Sequence, residues 1–96
     1  MADRRPLTVD EVNEALQTLD GWSHRSDTLY KEFVLGSFRD AMAFMVRVSY
    51  EAEERDHHPE WSNVYNRVAI SLTTHDAGDV VTGLDVDLAR EIEKLI

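Results

Sequence analysis

The sequence predicts an α+β fold, a four-stranded antiparallel sheet with helices packed on one face, in the order helix, two strands, helix, two strands, helix. Three observations carry this. Capping signals open three separate helical stretches, two runs rich in β-branched and aromatic residues are each divided by turn residues, and the apolar spacing switches between helical and alternating periods.

Thr8-Val9-Asp10-Glu11 has the form of a capping box, in which the Thr8 hydroxyl and the Glu11 carboxylate satisfy free N–H groups at a helix start. Val12, Leu16 and Leu19 follow at helical spacing, and Gly21 closes this helix at about residue 20. Ser26-Asp27 is a turn signal that pairs Trp22–Arg25 with Thr28–Val34 as a hairpin ending at Gly36.

Ser37-Phe38-Arg39-Asp40 offers a second cap, after which Phe38, Ala41, Met45, Val48 and Ala52 form one apolar stripe read as core. The opposite face carries Arg39, Arg47, Glu51, Glu54 and Arg55. Pro59 cannot continue a helix and pushes His58 out of the α region, so the helix stops near Asp56 or His57. Trp61–Tyr65 reads as a strand, Asn66 as a turn residue, and Val68, Ile70 and Leu72 alternate with polar or small residues as in a half-buried strand. Residues 74–79 form a loop by composition. A final helix starts at Thr82, capped through Asp85, and is expected to bury Leu88, Ala89, Ile92 and Ile96.

With 96 residues, 43% of them hydrophobic, the chain suits a single domain, 1–96, around one core. A domain of this size is marginally stable, and assembly into an oligomer is a natural source of further burial. The formal net charge of -9 argues against nucleic acid and acidic membrane surfaces as partners. The absence of cysteine excludes disulfides, a thiolate nucleophile and cysteine-based zinc sites. No apolar run approaches the roughly 20 residues that span a bilayer. The stretch Met1-Ala2-Asp3-Arg4-Arg5-Pro6 lacks the apolar core of a secretion signal, so a cytoplasmic location is expected.

The chemistry available lies at element ends. His57 and His58 fall where the long helix stops and His75 just after the last strand, whereas His24 lies within the first hairpin and reads as a surface residue. Imidazole gives and takes protons near neutral pH, and adjacent histidines cannot point the same way. Glu53, Asp56 and Asp76 are close enough in sequence to orient an imidazole or raise its pKa. The residues alone leave other readings open. A His-His pair also complements the negative end of a helix dipole, and Trp61 and Tyr65 serve equally as core. Three histidines with a carboxylate have zinc-like donor types, although consecutive histidines are awkward for joint chelation.

At these residues the sequence resembles the pterin-4a-carbinolamine dehydratases, also known as the dimerisation cofactor family of a homeodomain transcription factor. The likeness is carried by Glu53, by Asp56-His57-His58-Pro59-Glu60-Trp61 with Asn63-Val64-Tyr65-Asn66 after it, by Thr74-His75-Asp76, and by Asp85-Val86-Asp87-Leu88-Ala89, over about Leu7 to Ile96. The resemblance implies a two-layer α+β fold and dehydration of 4a-hydroxytetrahydrobiopterin to quinonoid dihydrobiopterin, a step that follows aromatic amino acid hydroxylation. It also implies homodimers or homotetramers that need no metal or organic cofactor. His57, His58 and His75 become the catalytic candidates, with Glu53, Asp56, Pro59, Trp61, Thr73, Thr74, Asp76 and Asp85 as substrate-binding candidates. Leu84 departs from the pattern, standing where some relatives have a basic residue. A non-catalytic interaction module of the same fold is the alternative function.

Overall fold

A computed structural model describes residues 4–96; the first three residues of the N-terminal stretch read for a secretion signal lie outside it. The elements are α1 (Val9–Leu16), β1 (Ser23–Arg25), β2 (Thr28–Val34), α2 (Phe38–Glu54), β3 (Glu60–Val64), β4 (Arg67–Leu72), a 3-10 turn (His75–Ala77) and α3 (Gly83–Glu93). The four strands pair antiparallel in the order β1-β2-β4-β3, so the two hairpins meet along β2 and β4 at the centre of the sheet. This is the α+β architecture expected, with the helices on one face.

The sheet divides cleanly by the two-residue period of a strand. Leu29 and Phe33 of β2 and Val68, Ile70 and Leu72 of β4 are buried under the helices. Residues between them, among them Val34 and Val64, look out from the open face. Ala41, Phe44 and Val48 of α2 and Val86, Leu88, Ala89 and Ile92 of α3 close the other side of one continuous core, and Ala52 is buried nearer the end of α2.

The differences from expectation have local causes. The capping box at Thr8 forms, but α1 ends at Leu16 rather than near residue 20. The N–H groups of Gln17, Thr18 and Leu19 donate to carbonyls three residues back, which tightens the chain into turns. Leu19 is still buried there. Gly21 then takes φ +84, a backbone conformation that favours glycine, and a Cβ at this position would sit 2.9 Å from Cε of Lys31 and displace that side chain. Lys31 is fixed by its ammonium, which donates to the Asp20 carbonyl and to Glu93, each at 2.8 Å.

Ser26 and Asp27 both have positive φ, as a two-residue hairpin turn demands. Trp22 lies one residue before β1, buried, with its indole N–H donating to Glu93. His24 is half-buried rather than superficial, because it pairs with Leu29 and shares that residue's core-facing side.

On α2 the buried stripe is rotated from the one expected. At about 100° per residue its centre passes near Val48, with Phe44 extending it on one side, while Met45 lies at the opposite margin and Phe38, 49% exposed, beyond it in the first turn. Tyr65 belongs to the turn after β3 and not to the strand, with φ +53. Asn66 locks that turn by donating from its amide to the Leu35 carbonyl at 2.9 Å while accepting the Leu35 N–H. Ile96 is exposed, since α3 ends at Glu93 and Leu95 is the residue that turns back to the core.

Candidate active site

The end of α2 is built to project two imidazoles in different directions. Asp56 takes φ +50, the left-handed position that follows a helix, and the N–H of His57 donates to the Ala52 carbonyl at 3.0 Å while that of Asp56 donates to Glu53. This six-to-one, five-to-two pairing is a Schellman motif with aspartate where glycine is usual. It turns His57 inward and leaves His58 outside, where the following Pro59 keeps the chain extended.

His57 is buried, and its Nε2 lies 2.6 Å from Oδ1 of Asp85, which has no exposed surface. Asp85 is the third residue of α3 and completes the capping box there, its Oδ2 accepting the Thr82 N–H at 2.9 Å. The same oxygen accepts the Thr74 hydroxyl at 2.8 Å, and Thr74 in turn lies 2.7 Å from the Thr82 hydroxyl. Every other contact of Asp85 is a donor to it, so in the matching tautomer its Oδ1 accepts the Nε2–H of His57, and the imidazole presents Nδ1 as its remaining nitrogen.

His58 pairs with Glu53, Nε2 to Oε1 at 2.9 Å, one turn back on α2. His75 opens the 3-10 turn after β4, and its Nδ1 lies 2.8 Å from Oδ1 of Asp79. The hydrogen bond to Asp79 raises the His75 pKa above its ordinary value, helped by the charges of Asp79 and, less, Asp76. Each histidine of the group therefore has its own carboxylate, in settings that range from fully buried to largely open.

These side chains surround a cavity of about 270 Å³. Asp56, His57 and His58 reach it from the end of α2, and Thr73, Thr74, His75 and Asp76 from the segment after β4. Arg4 and Leu84 complete the wall. Arg4 arrives because the N-terminal segment is stitched to the chain ahead of α3: Pro6 bridges Thr82 and the Leu7 N–H donates to the Val81 carbonyl at 2.9 Å. Its guanidinium lies 3.5 Å from Asp76. The hydroxyl oxygen of Thr73 is buried without a hydrogen-bond partner among the described residues, so a polar ligand edge in the cavity is its natural complement.

Seven of the eleven residues singled out in the sequence meet at this cavity, and four do not line it. Glu53 stands behind His58, and Asp85 lies beneath His57 as its anchor. Pro59 acts on the backbone, and Trp61 borders a separate cleft with Glu60 and Ser62. Of the carboxylates near in sequence, Glu53 does orient an imidazole, whereas the partner of His75 is Asp79 and Asp76 instead faces Arg4. Asp79, Thr82 and Arg4 were missed. The four-residue spacing from His75 to Asp79 was a usable signal, and Thr82 was visible only as a cap. Nothing in local sequence joins Arg4 to residues so far along the chain. Among the described residues, no three His, Asp or Glu side chains gather as a metal site would require.

Residues 5–95 match the family model described as pterin 4 alpha carbinolamine dehydratase. A protein of Opitutus terrae, provisionally named a pterin-4-alpha-carbinolamine dehydratase, is 53% identical over 89 residues, covering 93% of this chain and 92% of its own. One of Rhizorhabdus wittichii with the same provisional name is 49% identical, covering 94% of each. The crystal structure of a transcriptional coactivator/pterin dehydratase from Brucella melitensis superposes with a TM-score of 0.91 at 41% identity, over 95% of this chain and 98% of that one.

Proposed function

The chain belongs to the pterin 4 alpha carbinolamine dehydratase family, and from that premise we propose that it dehydrates 4a-hydroxytetrahydrobiopterin to quinonoid dihydrobiopterin by histidine acid/base catalysis. The observation that carries the reading is the convergence of His57, His58 and His75 on one cavity, each held by a separate carboxylate.

The reaction removes the 4a-hydroxyl and the N5 proton of the pterin. An acid protonates the departing oxygen, the C4a–O bond breaks to release water, and a base takes the N5 proton as the C4a=N5 double bond forms. A protonated imidazole and a neutral one facing the same ligand suffice. His57 is fixed by Asp85 and His75 by Asp79, so two separately oriented imidazoles face the same cavity. Asp56, Asp76, the Thr73 hydroxyl and the nearby backbone supply hydrogen bonds for the polar edge of the ring.

The reading places the protein in the cytoplasm, recycling pterin after an aromatic amino acid hydroxylase. It assembles as a homodimer or homotetramer. Exposed Val34 and Val64 on the open sheet face and Val46 and Tyr50 on α2 give apolar surface for that assembly. A stopped-flow assay with chemically generated 4a-hydroxytetrahydropterin tests the function. Acceleration over the spontaneous reaction supports it. No acceleration, together with stoichiometric co-purification of a protein partner, points to an interaction module instead.

A further inference from the structure

The turn that carries His75 contains more apparatus than a loop needs. The N–H of Ala77 and of Asp79 both donate to the Thr74 carbonyl, the N–H of Gly78 donates to that of His75, and Thr74 is bridged to Val80. Gly78 and Asp79 take φ +94 and +60 in succession. That pair of left-handed residues brings the chain round so that the Asp79 carboxylate returns to Nδ1 of His75 at 2.8 Å. His75 itself is 89% exposed at its side chain, so neither burial nor packing fixes its ring. Asp79 does.

Resting on the reading above, we infer that Asp79 is a positioning residue: it holds His75 with Nδ1–H directed at its own carboxylate and Nε2–H presented as the proton donor of the site. An imidazole accepting no hydrogen bond and donating from both nitrogens is the charged form, which an adjacent carboxylate favours. The upward shift of His75, caused first by the Asp79 hydrogen bond, agrees with this. The other charged groups around it do not replace Asp79. Asp76, on the same turn, is engaged by Arg4 at 3.5 Å. Across the cavity stand Asp56, His57 and His58, and the two imidazoles are occupied by Asp85 and Glu53. His57 and His58 are thereby left to take the N5 proton.

The test pairs a titration with a rate profile. Asparagine tolerates left-handed φ, so Asp79→Asn keeps the turn while removing the charge. The His75 ring is titrated by NMR through its Cε1–H in the wild type, Asp79→Asn, Asp79→Glu and Asp76→Asn. The midpoint is expected to fall in Asp79→Asn, to stay raised in Asp79→Glu, and to move less in Asp76→Asn. In the dehydration assay the alkaline limb of the wild-type rate follows protonated His75, so in Asp79→Asn it moves to lower pH by the same interval as the midpoint. An unmoved midpoint, or a shifted midpoint with an unmoved rate profile, overturns the inference. A wild type without dehydratase activity refutes the enzymatic reading, and an unmoved NMR midpoint then separately refutes the hold of Asp79 on His75.

Discussion

Oδ1 of Asp85 and Nε2 of His57 lie 2.6 Å apart, and this one buried contact ties the end of α2 to the start of α3. Asp85 caps α3, accepts the Thr74 hydroxyl and orients His57 at once, so the fold and the geometry of the candidate site share a residue.

Asp85→Ala strips the acceptor from three buried donors, the Thr82 N–H, the Thr74 hydroxyl and His57. A loss of about 3 kcal/mol or more is expected in urea unfolding. Asp85→Asn behaves differently. Its carbonyl oxygen is claimed by Thr82 and Thr74, which turns the amide NH2 towards His57 and reverses the tautomer. That variant folds, yet its dehydration rate drops by roughly 10² or more.

Asp56 occupies a left-handed position that costs a non-glycine residue about 1 kcal/mol. Asp56→Gly is therefore expected to raise the unfolding free energy by about 0.5–1 kcal/mol. Because Asp56 also lines the cavity, binding of a dihydropterin, followed by fluorescence, weakens in the same variant. A gain in stability with a loss of ligand affinity marks a residue retained for its contact and not for its backbone.

Thr82→Ala removes the cap of α3 and the hydroxyl that meets Thr74, with an expected cost of about 1–3 kcal/mol. Thr82→Ser restores both hydrogen bonds. Thermal unfolding of the two variants should separate them clearly, with the serine variant close to the wild type.

Glu11 is held down to about 2 by its hydrogen bonds to Arg5, then by the Thr8 N–H. A carboxylate depressed in the folded state contributes stability that is complete above its ordinary value and is lost as pH falls through the folded one. The stability difference between the wild type and Glu11→Gln is thus expected to be constant from pH 6 to 8, to shrink below pH 4.5 and to approach zero near pH 2. Both partners are at the surface, so 0.5 M salt should reduce it throughout.

Much of the fold was legible because local signals agreed with one another. The boxes at Thr8 and Thr82 place two helix starts to the residue, and Ser26-Asp27 sets the hairpin register. Errors arose where tertiary packing decides: Phe44 rather than Phe38 faces the sheet, and Ile96 lies beyond the last turn of α3. The histidines of the site were found because proton chemistry narrows the choice of residue type. Their carboxylates were found only in part. Glu53 lies in the last turn of α2, only five residues before His58, whereas Asp79 reaches His75 through two left-handed residues that composition does not announce. Arg4 joins the cavity through a bridge between Pro6 and Thr82, a contact with no local trace.

The central claim is that the histidines around this cavity dehydrate a 4a-hydroxypterin, and single-site variants test it most directly. Stopped-flow rates with chemically generated 4a-hydroxytetrahydropterin are compared for the wild type and for His57→Ala, His58→Ala and His75→Ala, each shown folded by circular dichroism. The account predicts a wild-type rate well above the spontaneous one and a loss of roughly 10²-fold or more in at least one variant, with His58→Ala sharply reduced. Full activity retained in all three variants would contradict it.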